Sequence, residues 1–164
     1  MPWAEHEPQT LEEKANLLRH FRSRLDAGED FAYGIFAADE SEQIGGTGLH
    51  ARIEEGGLEI GYFIRASATR QGFVTESTAA LTRVGFEICE ADRIEIRIEP
   101  GNEASFGVPR KLGFLEEATL RRRLPGRAGG QLRDVTIFTM FREDFDPSIA
   151  PGIRAFDARG EQLL

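Results

Sequence analysis

The sequence predicts an α+β domain, a mixed and mostly antiparallel twisted sheet of about six strands flanked by helices. Three observations lead there. Over residues 31–65, three apolar runs separated by polar or glycine turns read as an antiparallel meander. A strand, a helix and a strand follow over residues 58–99, an order that gives one parallel crossover. Two further strands then flank a loop rich in Pro and Gly, the pattern of a long hairpin.

The elements follow in order. Thr10-Leu11-Glu12-Glu13 has the form of a capping box, with a hydroxyl at the cap and a carboxylate three residues on. Leu11, Ala15, Leu18, Phe21 or Arg22, and Leu25 come at helical spacing, and Gly28 is the expected stop. Residues 31–36 and 43–49 read as strands around the turn Asp39-Glu40-Ser41, and Gly56-Gly57 turns the chain into a third strand over 58–65. From Thr75 to about residue 90 a helix is expected, with Ala80, Leu81, Val84 and Ile88 as its apolar face. Residues 93–99 alternate Ile94, Ile96 and Ile98 inward with Arg and Glu outward. Asn102 opens a helix over 102–112, followed by strands over 114–122 and 135–142. The second sets Val135, Ile137 and Thr139 opposite Thr136, Phe138 and Met140. Pro125, Gly126, Gly129 and Gly130 mark the loop between them. Periodicity ends after Asp144, so residues 1–144 read as one domain and 145–164 as a loosely packed tail.

Composition narrows the function. The 164 residues suit one domain of ordinary core size. With 20 basic against 28 acidic residues, the net charge of -8 argues against nucleic acid and favours a cationic substrate. No apolar run approaches the ~20 residues of a membrane span, and residues 1–7 lack the regions of a signal peptide, so no membrane association and a cytoplasmic protein are expected. The single Cys89 cannot form an internal disulfide, and its place on the apolar side of a helix marks a buried structural thiol. His6, His20 and His50 show no ligand spacing, and no metal is expected.

The strongest functional signal runs from Gly61 to Phe114. An apolar strand ending Gly61-Tyr62-Phe63-Ile64-Arg65 feeds Arg70-Gln71-Gly72-Phe73-Val74-Thr75-Glu76 and a helix. Backbone N–H groups at such a helix start point at an anion, and the helix dipole favours it by ~0.3–1 kcal/mol at an exposed end. A phosphorylated ligand is the expected guest. Gly72 fits because a side chain there would block close backbone approach; the alternative is a plain strand-to-helix turn with a solvated Arg70.

Several segments together resemble a known family: Glu59-Ile60-Gly61-Tyr62, Gln71-Gly72-Phe73-Val74-Thr75-Glu76-Ser77, Gly101-Asn102-Glu103-Ala104-Ser105, Val108-Pro109-Arg110-Lys111-Leu112-Gly113-Phe114, then Leu120-Arg121 and Arg133-Asp134. In that order they look like the acetyl-CoA-binding core of the GCN5-related N-acetyltransferases, in the branch that acetylates ribosomal-protein N-termini and similar amines. The resemblance implies acetyl-CoA as co-substrate and an amine acceptor, either a peptide N-terminus or a small cationic amine. The family's phosphate-loop pattern falls on residues 69–74, with Thr69 where a basic or amide residue is usual and Val74 where a small one is usual. Arg70 offers a charge one position along. The same resemblance gives Arg70, Gln71, Gly72, Phe73, Val74 and Thr75 to the pyrophosphate, a backbone N–H of Phe63, Ile64 or Arg65 to the thioester carbonyl, and Asn102 and Ser105 to the cofactor.

Acetyl transfer requires that the amine lose a proton, the carbonyl meet a donor and the departing thiolate gain a proton. The Tyr that many family members use for the last step would fall at Pro109, which carries no acid. The branch points instead to Ser105, one helical turn earlier; the alternative is a hydroxyl that only bonds the pantetheine arm or caps a turn. Pro109 would also leave the Ser105 carbonyl without its helix donor and kink the helix. Glu59, on the strand leading to the cofactor, is the candidate base, the alternative being a solvated carboxylate. Tyr62, Phe63 and Phe106 read as core, with the acyl groove as the alternative. Arg121-Arg122-Arg123 and Arg127 read as solvated surface, the alternative being a contact with the ribose phosphate.

Family members begin with a strand and a helix that residues 1–30 leave no room for, and Pro2-Trp3-Ala4 resembles the segment just before the second helix. The first strand is therefore expected to be missing, whether the chain is shortened, its start codon misplaced, or its place filled by the tail or a partner. An unpaired edge makes a homodimer an expectation. Two functions follow: the transferase, or a non-catalytic CoA-binding or regulatory domain that has lost part of the acceptor site.

Overall fold

The computed structural model describes residues 10–126 and 130–164; the expectations for Pro2-Trp3-Ala4, His6, Arg127 and Gly129 lie outside the described residues. Thr10 caps α1 (Leu11–Asp26) with the reciprocal bonds of a capping box: its Oγ1 accepts the Glu13 N–H at 3.1 Å, and Glu13 Oε2 accepts the Thr10 N–H at 2.9 Å. Three strands follow, β1 (Asp30–Phe36), β2 (Gln43–His50) and β3 (Gly57–Ile64). Helix α2 (Phe73–Arg83) continues into a π-helical turn, Val84–Ile88, and returns through β4 (Arg93–Ile98). Helix α3 (Glu103–Lys111) and the hairpin of β5 (Leu115–Leu124) and β6 (Arg133–Phe141) complete the fold. The sheet order is β1-β2-β3-β4-β6-β5, antiparallel except where β3 meets β4.

One face of the sheet carries the core. Leu49, Ile60, Tyr62, Ile94, Ile96, Ile98, Phe138 and Met140 pack against Leu81 and Phe86 of the first crossover helix and Phe106 and Val108 of the second. The Leu112-Gly113-Phe114 segment closes α3 as a Schellman motif. Gly113 takes φ +83°, its N–H reaches the Arg110 carbonyl, and the Phe114 N–H reaches the Pro109 carbonyl at 3.0 Å, which drops the Phe114 ring into the core.

Several details depart from the sequence reading. On α1, Leu11 and Leu18 face solvent, and Ala15, Leu17, Phe21 and Leu25 are half-buried instead. The buried residues of the long helix are Thr78, Ala79, Leu81, Thr82, Gly85 and Phe86, whereas Ala80, Val84 and Ile88 are half-buried. Thr82 sits in that apolar face because its hydroxyl donates back to the Thr78 carbonyl at 2.8 Å. Cys89 is exposed, not buried. The Cys89 N–H bonds the Val84 carbonyl five residues back, and the added residue of that wider turn rotates the helix end out of the α-helical register. Glu95, expected outward, is buried because the second face of the sheet is covered by its own ion pairs. In the tail, Phe145 stacks on Phe86 at 4.8 Å, Ile149 packs on the core, and Arg83 donates to the Ala150 carbonyl; residues 155–164 close on themselves through a Phe156–Gln162 bridge. No helix among the described residues is long and apolar enough to cross a membrane.

Candidate active site

The site begins where β3 and β4 part. The two strands pair only over Gly57, Leu58 and Glu59 with Arg93, Ile94 and Glu95, then run on to Ile64 and Ile98 unpaired with each other. The result is a fork with backbone edges on both sides. Arg65 donates its N–H to the Ile44 carbonyl of β2, and strand alternation turns the N–H groups of Tyr62 and Ile64 the other way, into the fork. Of Phe63, Ile64 and Arg65, therefore, Ile64 presents its donor to the gap. The Phe63 ring lies on the opposite face of the sheet over Gly46, and the Arg65 guanidinium pairs with Glu42.

The wide end of the fork meets the start of α2. Arg70 and Gly72 both take left-handed backbone, φ +62° and +94°, and bracket Gln71 in the alternating conformation that turns successive N–H groups into one concavity. The conformation, not crowding, demands glycine at 72: a side chain there would meet no protein atom within 4 Å. Space lies open above the cradle. Arg70 is exposed and makes no ion pair among the described residues, while Gln71 and Thr69 spend their side chains on the Ser67 and Ala66 carbonyls. Phe73, Val74 and Thr75 form the first turn of α2 and are half-buried, so their contribution to an anion is their N–H groups. These features fit a pyrophosphate.

The other arm of the fork leads into α3. Asn102 caps it, its Oδ1 accepting the Ser105 N–H at 3.3 Å. A polar depression lined by Glu99, Pro100, Gly101 and Asn102 opens at this end. Pro109 lies in the middle of α3 and has no N–H for the Ser105 carbonyl; the Tyr62 hydroxyl supplies the missing donor across the fork at 3.0 Å. Burial pushes the Tyr62 phenol far above its ordinary range, so it stays a neutral donor. The Ser105 hydroxyl is half-exposed and has no hydrogen-bond partner among the described residues. Phe106 is in the core, its ring edge on Phe138 at 5.1 Å.

Tyr62→Phe is expected to lower stability by about 1–3 kcal/mol, because it strands a buried carbonyl. In a Pro109→Ala background the restored N–H serves that carbonyl, and the loss should shrink by about 1 kcal/mol in a denaturation double-mutant cycle. Additive losses would deny the brace its role.

The second face of the sheet is polar. Glu59, expected half-exposed, is 9% exposed and ion-paired to Arg52 at 2.6 Å, with Arg97 Nε at 3.9 Å. Glu95 is flanked by Arg93 at 3.1 Å and Arg97 at 2.9 Å. Next along this face His50 pairs with Asp30, and Gly46, Gly48 and Gly61 make room for the Phe63 ring, the His50 ring and the Arg52 guanidinium. The sequence reading gave Asp30 and Arg52 no role and weighed His50 only as a metal ligand. Counting outward equally from Glu40, the centre of the first predicted turn, would have set Asp30 opposite His50. Arg121, Arg122 and Arg123 are exposed on the edge strand β5, where a bulge puts Arg122 at φ +55° and its N–H on Asp134 Oδ1 at 2.9 Å.

A mixed sheet forked at its single parallel pair, with an anion cradle at the fork's mouth, defines a class that comparison with known proteins makes definite. The family model of the acetyltransferase (GNAT) domain matches residues 1–115. The chain belongs to the GNAT family and is an acyltransferase. It is 28% identical over 138 residues to YjcK of Bacillus subtilis, described as a probable N-acetyltransferase, covering 82% of this chain and 75% of that one. The uncharacterized N-acetyltransferase p20 of Bacillus licheniformis is 30% identical over 119 residues, 72% of this chain and 66% of that one. Among solved structures, Mycobacterium smegmatis RimJ in complex with CoA-disulfide superposes with a TM-score of 0.72 at 24% identity, covering 82% of this chain and 63% of that one. RimL, the ribosomal L7/L12 α-N-protein acetyltransferase in complex with coenzyme A, gives 0.72 at 23%, covering 84% and 76%. These two likenesses show the fold.

Proposed function

We propose that this protein transfers the acetyl group of acetyl-CoA to a primary amine, a peptide N-terminus or a small cationic amine. The observation that carries this reading is the arrangement of three features, the left-handed turn at Arg70 and Gly72, the β3 edge unpaired with β4 beyond Glu59, and Ser105 tied to that strand through Tyr62. The pyrophosphate rests on the N–H groups opening α2, with Arg70 beside it. The pantetheine arm then adds to the fork as a strand would, and the Ile64 N–H donates to the thioester carbonyl, where charge grows in the transition state. Asn102 orders the turn that brings Ser105 to the far wall, and the Ser105 hydroxyl donates to the sulfur as the C–S bond breaks. The net charge of -8 draws cationic acceptors.

Titration with acetyl-CoA by calorimetry, followed in the same sample by free-thiol release against a panel of amines and peptide N-termini, tests this. Binding with amine-dependent release is expected. Binding without release across the panel favours a regulatory CoA-binding domain, and absence of binding removes both readings.

A further inference from the structure

Resting on the transferase reading above, we propose that the proton acceptor for the incoming amine is His50, oriented by Asp30, and that Glu59 is a structural ion. Asp30, His50 and Glu59 are set side by side across β1, β2 and β3 by register, so all three lie on one face. His50 Nδ1 is hydrogen-bonded to Asp30 Oδ1. An ionised carboxylate only accepts, so Nδ1 carries a proton, and in the neutral imidazole Nε2 keeps its lone pair. Nε2 has no other hydrogen-bond partner among the described residues.

Its position suits the task. The ring lies over Gly48, where a Cβ would stand 2.5 Å from both Cε1 and Nε2, and Nε2 is 3.5 Å from where a Gly61 Cβ would be. The free nitrogen thus sits over the Gly48–Gly61 pair of β2 and β3, one residue before Tyr62 on the strand that borders the fork. The missing side chains at Gly48 and Gly61 leave the room that the His50 ring and the Arg52 guanidinium occupy, so an amine reaches the nitrogen beside Arg52. The imidazole is 12% exposed, reachable but shielded. Glu59 is placed differently: its oxygens face Arg52 and Arg97, and taking up a proton would first break an ion pair. The other charges around His50 are Arg24, whose Nε lies 3.6 Å from Asp30, and Arg52, whose Nη2 shares the space over Gly61 at 3.7 Å. Asp30 balances the imidazolium that forms.

In the step, the ammonium of the acceptor gives one proton to Nε2, which later passes it to solvent. The freed lone pair forms the C–N bond to the thioester carbonyl carbon, the C–S bond breaks, and the second proton leaves nitrogen for the thiolate through the Ser105 hydroxyl. The products are the amide, the free thiol and one proton.

The test compares wild type, His50→Gln, His50→Ala, Asp30→Asn and Glu59→Gln in amine-dependent thiol release, with acetyl-CoA affinity measured by calorimetry. His50→Gln is expected to lower kcat about a hundredfold, to abolish the acid limb of the kcat/KM profile and to leave acetyl-CoA affinity unchanged. Free imidazole should restore part of the turnover of His50→Ala, a result that a merely structural histidine would not give, and Asp30→Asn should lose less than His50→Gln. Wild-type kcat in His50→Gln, or loss in Glu59→Gln together with no imidazole rescue of His50→Ala, would overturn the assignment while leaving the transferase in place. A wild type that releases no thiol with any amine would instead sink the transferase reading itself.

Discussion

Gly72→Glu is expected to weaken acetyl-CoA binding by two to three orders of magnitude, roughly 3–4 kcal/mol, in a protein that still folds. Two effects combine. At φ +94° any L side chain costs about 1–2 kcal/mol of backbone strain, and relieving it would rotate the N–H groups out of the cradle. The carboxylate would also stand in the open space above the loop, against a doubly charged pyrophosphate. Because a Cβ at that position would meet nothing within 4 Å beyond its own chain neighbours, the fold leaves room for a side chain there. Calorimetry with circular dichroism on the same samples separates binding from folding, and Gly72→Ala, which adds strain without charge, should lose about tenfold. A folded Gly72→Glu protein with wild-type affinity would remove the cradle from the mechanism.

The second large effect is expected at Ser105. Ser105→Ala should lower kcat about a hundredfold while leaving acetyl-CoA affinity unchanged, the signature of an interaction made chiefly in the transition state. The capping bond at this helix start comes from Asn102 and uses the backbone N–H of residue 105, so the hydroxyl can be deleted without uncapping α3. Alanine is also the better helix former. Thermal stability should therefore hold, and Ser105→Thr, which keeps a hydroxyl, should recover part of the rate. A matched fall in affinity would instead identify the hydroxyl as a pantetheine contact.

What the sequence disclosed depended on how local the determining interaction is. The capping box at Thr10, the Ile94-Ile96-Ile98 alternation, the turn about Asp39-Glu40-Ser41 and the Gly113 stop of α3 are written within a few residues each, and the meander and single crossover follow from their order. The glycine turn that opens α2 was legible for the same reason, since the left-handed backbone at Arg70 and Gly72 is set within three residues. Which of Phe63, Ile64 and Arg65 turns its N–H toward the fork was not, because that depends on which backbone groups β2 consumes. Nor was the burial of Glu59 and Glu95, which rests on arginines from β4 and from the segment after β2. Cys89 was misread because an α-helical wheel assumes a constant turn, and one π turn shifts everything beyond it. Leu17 in place of Leu18 reflects a helix packed chiefly against β1, a narrow seam that spacing alone does not fix.

The bond from Tyr62 to Ser105 gives the fork a property that neither strand nor helix has alone. A proline in α3 has made the helix's first turn dependent on a donor from another element, so that turn cannot loosen without the groove widening. The order of the helix and the width of the fork are coupled through that bond. A ligand that filled the fork would be expected to stiffen the helix, and whatever frays the helix would be expected to open the fork.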